Sequence, residues 1–470
     1  MKSLSLVAIG LVLLFVPAAL AVGTGRDQGP TKTAERGAVL RGINAERLGT
    51  MDAPAAALGG NYSNGWSPPA TSSLLQLGIY EVNLNDPGTG WQETFIIGVP
   101  KKRLFPAPVL VVFHGYGGTP QKVLDKTTYF EEGMARGWIV VAPLSAHQYN
   151  FGIRYSQKNT EAVMNWVAKW LKVDVDRFYA VGFSMGGGAA YSYASRHVSP
   201  VRARFAGLVN HTGSTSIKDV YYSSANSTLF ENDLMFGGSP LEKSFLYSIA
   251  STMDLDTFSG TIDQSTDMGR NLSNISVKNF NADGDPNPYL VNETYKVQEQ
   301  LAARGATSIH TTSTDTIHNW NTLNEAEVLD FFEPLTFTDP GPNKFHRILA
   351  DRGGRWFSFR VKQTQKGKFT PFRWAALPSM NQIYVDEAEN LARLTVNPAH
   401  LGLDPSQPLD FVYESVDGQP VELVLRGIDM PLDVKRNGSS TSNWIYDPVK
   451  RTVTLFEDTT GSLSKWTIAP

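Results

Sequence analysis

The sequence predicts an α/β protein: a doubly wound, mostly parallel sheet with an insertion, followed by an all-β, sandwich-like unit. Three observations predict it. Short apolar runs such as 109–113 and 178–181 recur between stretches with helical spacing, as strands buried on both faces do. The rhythm breaks over about 213–273, a stretch rich in Ser, Asn, Asp and Gly, and then resumes. After Thr338-Asp339-Pro340-Gly341-Pro342 the apolar period becomes two.

Taken in order, the chain opens on an address. Lys2, the apolar run from Leu4 to Leu20 and the terminal Ala19-Leu20-Ala21 form a basic start, an apolar stretch and a small-residue cleavage site. An uncleaved anchor is the alternative, but the run is near the lower length limit for spanning a bilayer. Cleavage after Ala21 leaves no stable membrane anchor and sends the chain to the periplasm or outside, a bacterial export route fitting best. Residues 22–68 have little periodicity and are expected to form a weakly ordered lead-in. The α/β unit, with its insertion, is expected over 69–337. Its strands are predicted at 79–84, 92–99, 109–113, 138–142, 178–181, 205–209, 275–280 and 308–312. Its helices are predicted at 121–136, 161–171, 186–196, 292–304 and 325–332. The insertion is expected either to cap a pocket or to be a structural excursion. Residues 343–470 are expected to form an antiparallel β unit, with Phe357/Phe359/Val361 and Val421/Leu423/Leu425 among its alternating sets. Its Trp356, Trp374, Trp444 and Trp466 either pack inside or present a surface for a polymer.

Composition narrows the function. Of 470 residues, 42 are Lys or Arg and 45 Asp or Glu, a formal net charge of -3, which argues against a nucleic-acid partner. Hydrophobic residues at 41% and charged residues at 19% exclude a mostly disordered chain. The absence of cysteine excludes disulfides, Cys-ligated zinc, iron–sulfur clusters and a thiol nucleophile. The triplets at Asn61, Asn226, Asn271 and Asn292 match the N-glycosylation pattern, which carries no meaning in a bacterium. The oligomeric state leaves no trace in the sequence.

The chemistry centres on Gly182-Phe183-Ser184-Met185-Gly186, placed between a predicted strand and a predicted helix. A serine on a sharp strand-to-helix turn exposes its Oγ, and flanking glycines tolerate the strained, closely packed backbone. His114-Gly115-Tyr116-Gly117-Gly118 follows the strand at 109–113. Hydrolases that attack carbonyls need two N–H donors aimed at the tetrahedral oxygen, and the backbone of Tyr116 and Met185 would provide them. The serine needs a base. His318, in the loop after the last strand of this unit, is the first candidate and His211 the runner-up, while His310 lies inside a strand and His114 would brace its own loop. The base needs an acid, and Asp285 is favoured over Asp283, with Asp315 weaker. Phe183, His211 and Trp320 sit where they would line a pocket or pack. No metal or organic cofactor is called for.

With the order Ser…Asp…His, residues 93–334 resemble the α/β-hydrolase superfamily. The run from Val175 to Gly188 is similar to secreted serine esterases of the polyhydroxybutyrate depolymerase and feruloyl esterase group. That group's His-Gly-x oxyanion loop is matched by His114, Gly115 and Tyr116, its Asp-Pro acid loop by Asp285-Pro286, and its tryptophan two residues after the base by Trp320. Gly284 departs from the acid-loop pattern, and the insertion has no match. The resemblance implies an exported hydrolase acting on a carboxylic ester, with a polyester or a carbohydrate-linked ester as candidate substrates. Two other readings remain: a serine peptidase of the prolyl-oligopeptidase type, for which the propeller and a paired-glutamate amine site are not apparent, and a non-catalytic polymer-binding protein on the same fold.

Overall fold

Ala107–Phe113 is buried at all seven positions, so its strand must be covered on both faces, and it forms the middle of the main sheet. The computed structural model describes residues 49–54, 78–86, 91–100, 106–200, 203–225, 227–458 and 462–470. The expected signal at 1–21 and most of the lead-in fall outside these residues.

The strands of this half are β1 (Gly49–Pro54), β2 (Gly78–Asp86), β3 (Trp91–Val99), β4 (Ala107–Phe113), β5 (Ile139–Pro143), β6 (Val173–Phe183), β7 (Gly207–His211), β8 (Asp254–Leu255), β9 (Ile262–Asp263), β10 (Ser276–Ala282) and β11 (Ser308–Ser313). Nine of them make one sheet in the order β1-β2-β3-β5-β4-β6-β7-β10-β11, while β8 and β9 form a separate two-stranded pair. β3 runs antiparallel to both neighbours, and every pairing from β5 to β11 is parallel. The helices are α1 (Pro120–Lys126), α2 (Tyr129–Ala135), α3 (Arg154–Trp170), α4 (Met185–Arg196), α5 (Ile217–Ser223), α6 (Ser227–Phe230), α7 (Ser244–Ala250), α8 (Pro288–Ala303) and α9 (Glu325–Phe332). This is the doubly wound, mostly parallel arrangement that the alternation of apolar runs predicts. It puts the carboxyl ends of β4, β6, β7, β10 and β11 along one edge, where open α/β sheets bind ligands.

Three local differences from expectation have physical causes. The helix predicted over 121–136 is two helices, because Thr127 and Thr128 divert the backbone. Thr127 Oγ1 donates to Val123 O at 2.8 Å, and Thr128 Oγ1 donates to Glu325 at 3.0 Å. α3 starts at Arg154 rather than 161, because its first turns bury polar side chains, Ser156, Gln157, Asn159 and Thr160, that an apolar pattern does not register. Gly49–Pro54, within the segment expected to be weakly ordered, forms a strand parallel to β2.

The C-terminal unit packs a seven-stranded sheet beside a six-stranded one. The expected antiparallel pattern holds for most pairs, but 382–388 pairs parallel with 409–415, and 391–396 parallel with 421–426. The chain hops between sheets at these strands, and two reversals return it to the first sheet in its original direction. Trp356, Trp374 and Trp466 are each at most 1% exposed, so they serve the core and not a polymer-gripping row.

The two units share a joint at the end of α4. Arg196, wholly buried, pairs with Asp351 at 3.2 Å and donates to Ser248 O and Ser251 O at 2.8 Å each, joining helix, insertion and β unit. Asn271 donates to Ser195 O and Leu349 O and accepts from Leu349 N, all at 2.9 Å.

Candidate active site

Ser184 lies between β6 and α4 with φ 56 and ψ -123, a conformation that L-residues adopt only when the surroundings enforce it. The enforcement is close packing. A Cβ on Gly182 would stand 2.1 Å from Gly186 O, and one on Gly186 would stand 2.3 Å from Phe113 O, so both positions exclude a side chain. Ser184 N donates to His211 O at 2.9 Å, which fixes the turn to β7. Met185 is the first residue of α4, so its N–H belongs to the helix-start donors that have no intrahelical acceptor.

The loop after β4 lies against this turn. Gly115 abuts the Phe183 ring, and Gly117 adopts a φ of 63 while donating to Gln148 O at 2.9 Å. His114 is buried, with Nδ1 2.9 Å from Gly115 O and Nε2 3.0 Å from Leu144 O, which braces the loop as expected. Burial pushes its pKa down, so the ring is neutral and donates through one nitrogen at a time. The Tyr116 ring is flanked by Tyr149 and Phe151, with centroids at 4.9 and 5.8 Å.

The structure brings His318 to Asp285: Nδ1 to Oδ2 is 2.6 Å. Asp285 Oδ1 accepts from Asn287 N at 2.8 Å, which holds the carboxylate in place. Asp283 is engaged elsewhere, by Asn281 and Tyr295, and Asp315 by Ser313. Gly284, the departure from the family's acid loop, has a local reason. Its N–H donates to Asp315 O, and a Cβ there would stand 2.8 Å from that oxygen, so only glycine lets the acid loop approach the base loop.

His318 rests on Phe183, the residue before the serine, with ring centroids 4.5 Å apart. Phe183 also packs on Trp320 at 5.1 Å and His211 at 4.9 Å. All three are buried, so the residues considered for a pocket wall form a packed floor. His211, the runner-up base, is fully buried. Thr322 Oγ1 gives its proton to Asn319 O and therefore accepts from His211 Nε2 at 2.7 Å, which commits that nitrogen as a donor. His310 lies beside Asn281, with Nε2 to Oδ1 at 2.6 Å.

The insertion covers this edge. Ile217, Val220, Phe230, Phe236 and Tyr247 form one buried apolar cluster with Phe151, Met185 and Leu290, and Tyr116 packs against it. The cluster therefore spans the two loops expected to hold the oxyanion and the start of α8.

Glu93 is the supporting residue that sequence reading missed. It is 2% exposed and accepts from Ser145 N at 2.7 Å, Ala146 N at 2.8 Å and Asn159 Nδ2 at 2.7 Å. Ser145 and Ala146 have φ values of 54 and 81, so the carboxylate holds a strained turn that leads to Tyr149 and Phe151 beside Tyr116. Burial pushes its pKa up to about 7 against the pull of those donors. The signal was its parity: Glu93 shares a strand face with Phe95, Ile97 and Val99, all buried.

Among the described residues no group of three or more His, Asp or Glu is placed to hold a metal ion. No protein-family model matches the sequence, and no curated relative does. Solved structures do resemble the chain. They include a fluorophosphonate-binding serine hydrolase of Staphylococcus aureus (13% identity, 55% of this chain and 98% of that one, TM-score 0.40). An S-formylglutathione hydrolase of Agrobacterium tumefaciens gives 15% identity, 55% and 94% coverage and a TM-score of 0.41. A dipeptidyl peptidase 4 of Porphyromonas gingivalis gives 15% identity, 55% and 36% coverage and a TM-score of 0.41.

Proposed function

We propose that the chain is a serine hydrolase that cleaves carboxylic esters through an acyl-enzyme, with Ser184 as nucleophile, His318 as base and Asp285 as orienting acid. The observation that carries this reading is the 2.6 Å contact of His318 Nδ1 with Asp285, on a ring seated against Phe183 beside the strained Ser184. The Asp285 carboxylate keeps the proton on Nδ1, which leaves Nε2 as the basic nitrogen. His318 takes the hydroxyl proton as Ser184 attacks the ester carbonyl. The N–H groups of Tyr116 and Met185 receive the oxyanion, and loss of one such donor costs about 3–4 kcal/mol of transition-state stabilisation. The imidazolium then protonates the leaving alcohol, and water resolves the acyl-enzyme by the same route in reverse.

Two extensions belong to the same proposal. The ester is carried by a polymer, a polyester or a carbohydrate-linked ester. Leu234, Leu241 and Phe258 of the insertion are 80%, 87% and 86% exposed, which suits contact with an extended apolar substrate. The enzyme acts outside the cytoplasm, on the support of the apolar run and small-residue site in residues 1–21. The test is release of p-nitrophenol from short-chain p-nitrophenyl esters by the mature chain beside Ser184→Ala, with polyester films and feruloylated polysaccharide as second substrates. Serine-dependent release is expected. A folded wild-type protein without turnover would overturn the reading.

A further inference from the structure

The far end of α4 opens on a cleft of about 360 Å³ between the two units, away from the serine. That volume is at the lower end of small-molecule sites. One wall is α3, through Arg154 and Lys158. The other is the hairpin of 354–356 and 359–363, through Arg355 and Arg360. Arg196 and Arg352 line it as well, with Asp351 behind both and Glu161 as the acidic lining residue. Six cations against two carboxylates leave the cleft strongly positive in a chain whose net charge is -3.

Two features set this cluster apart from a solvated basic face. The first is placement. Arg355 and Arg360 are direct cross-strand partners, and Arg154 and Lys158 are four apart on one helix. Both are like-charge arrangements that destabilise a sheet or helix unless something compensates. None of the four makes an ion pair among the described residues. The second is a buried polar atom in the lining: Ser199 is 4% exposed and its Oγ has no hydrogen-bond partner among the described residues.

We infer that this cleft binds a small soluble polyanion bearing at least two phosphate- or sulfate-class oxyanions, which joins the α/β unit to the β unit. Planar guanidinium groups on one wall and a mixed Arg/Lys face on the other match oxyanions held at two points. Because the walls belong to different units, the ligand stabilises the joined form and raises the melting temperature by mass action. The inference is independent of the esterase reading, since no residue of the proposed site takes part.

The experiment is thermal unfolding and titration calorimetry of the full mature chain with tripolyphosphate, and separately with a sulfated disaccharide, at low and at high salt. The expected result is one site per chain, an upward shift in Tm and weakening with salt. Tighter binding of one probe identifies phosphate or sulfate as the natural group. R355Q/R360Q should lose at least tenfold in affinity while unfolding no earlier than the wild type without ligand, since a like-charge pair is relieved. K158Q, on the opposite wall, should weaken binding independently. No shift with either probe at low salt, or equal shifts in wild type and both variants, overturns the inference.

Discussion

The two ends of α4 are built on opposite principles. At its start, chain is pressed against chain: Gly182 and Gly186 leave no room for a Cβ, and Ser184 is held at positive φ. At its end, Arg196 is buried and almost every donor is met, by Asp351, Ser192, Ser195, Ser248 and Ser251. Strain is kept at the proposed nucleophile. Charge satisfaction is kept where three segments must meet. One helix thus joins a strained turn to a buried, paired anchor.

Five substitutions would break or sharpen that contrast. The largest expected effect is at the start. Ser184→Ala should lower kcat on p-nitrophenyl esters by about 10⁴-fold or more without loss of the folded state, checked by circular dichroism beside the assay. Asp285→Asn should cost about 10⁴-fold in kcat, since the tautomer of His318 would be wrong, whereas Asp283→Asn should stay within about tenfold. The reverse ranking would move the acid. At the far end the effect should appear in stability. Asp351→Ala leaves Arg196 buried with one charge partner removed and should cost about 3–5 kcal/mol in urea unfolding. The folded fraction should keep its kcat, and a kcat loss as large as that of Asp285→Asn would mean that the two ends are not separable.

The smallest effect concerns Glu93, whose pKa burial raises from 4.5 to about 7. Its proton is held in the folded chain beyond the pH at which the unfolded chain releases it. The associated stability, about 3 kcal/mol, is fully present below about 4.5 and is lost as pH rises through about 7. Glu93→Gln should flatten that part of the stability–pH curve. An unchanged slope would mean that its three donors keep the carboxylate ionised throughout.

Much of the sheet was legible, because buried parallel strands are continuous apolar runs: β4 and β7 sit within two residues of the runs that mark them. The serine turn and the loop after β4 were legible for a different reason, since Gly-rich spacing reports close backbone packing directly. Asp285 is favoured over Asp283 in the sequence by its Asp-Pro pattern, but both lie in one loop, and it is the path of the His318 loop that brings the Asp285 carboxylate to the ring. α3 was truncated in the reading because Gln157 and Asn159 are buried polar groups whose partners, Gly152, Ser192, Ile249 and Glu93, are scattered along the chain. The parallel pairs of the β unit were hidden because an alternating period describes a strand's faces and says nothing of its neighbour's direction.

Asn271 bears on how the protein can be made. It begins Asn271-Leu272-Ser273, an acceptor triplet for N-linked glycans, yet its side chain is fully buried and hydrogen-bonded to Ser195 and Leu349. A host whose secretory machinery decorates such triplets before the chain folds would fasten a bulky sugar where 346–350 must dock. Yield from a eukaryotic secretion system should therefore fall well below that from a bacterial one, and Asn271→Asp would not rescue it, because the carboxylate cannot donate to either carbonyl.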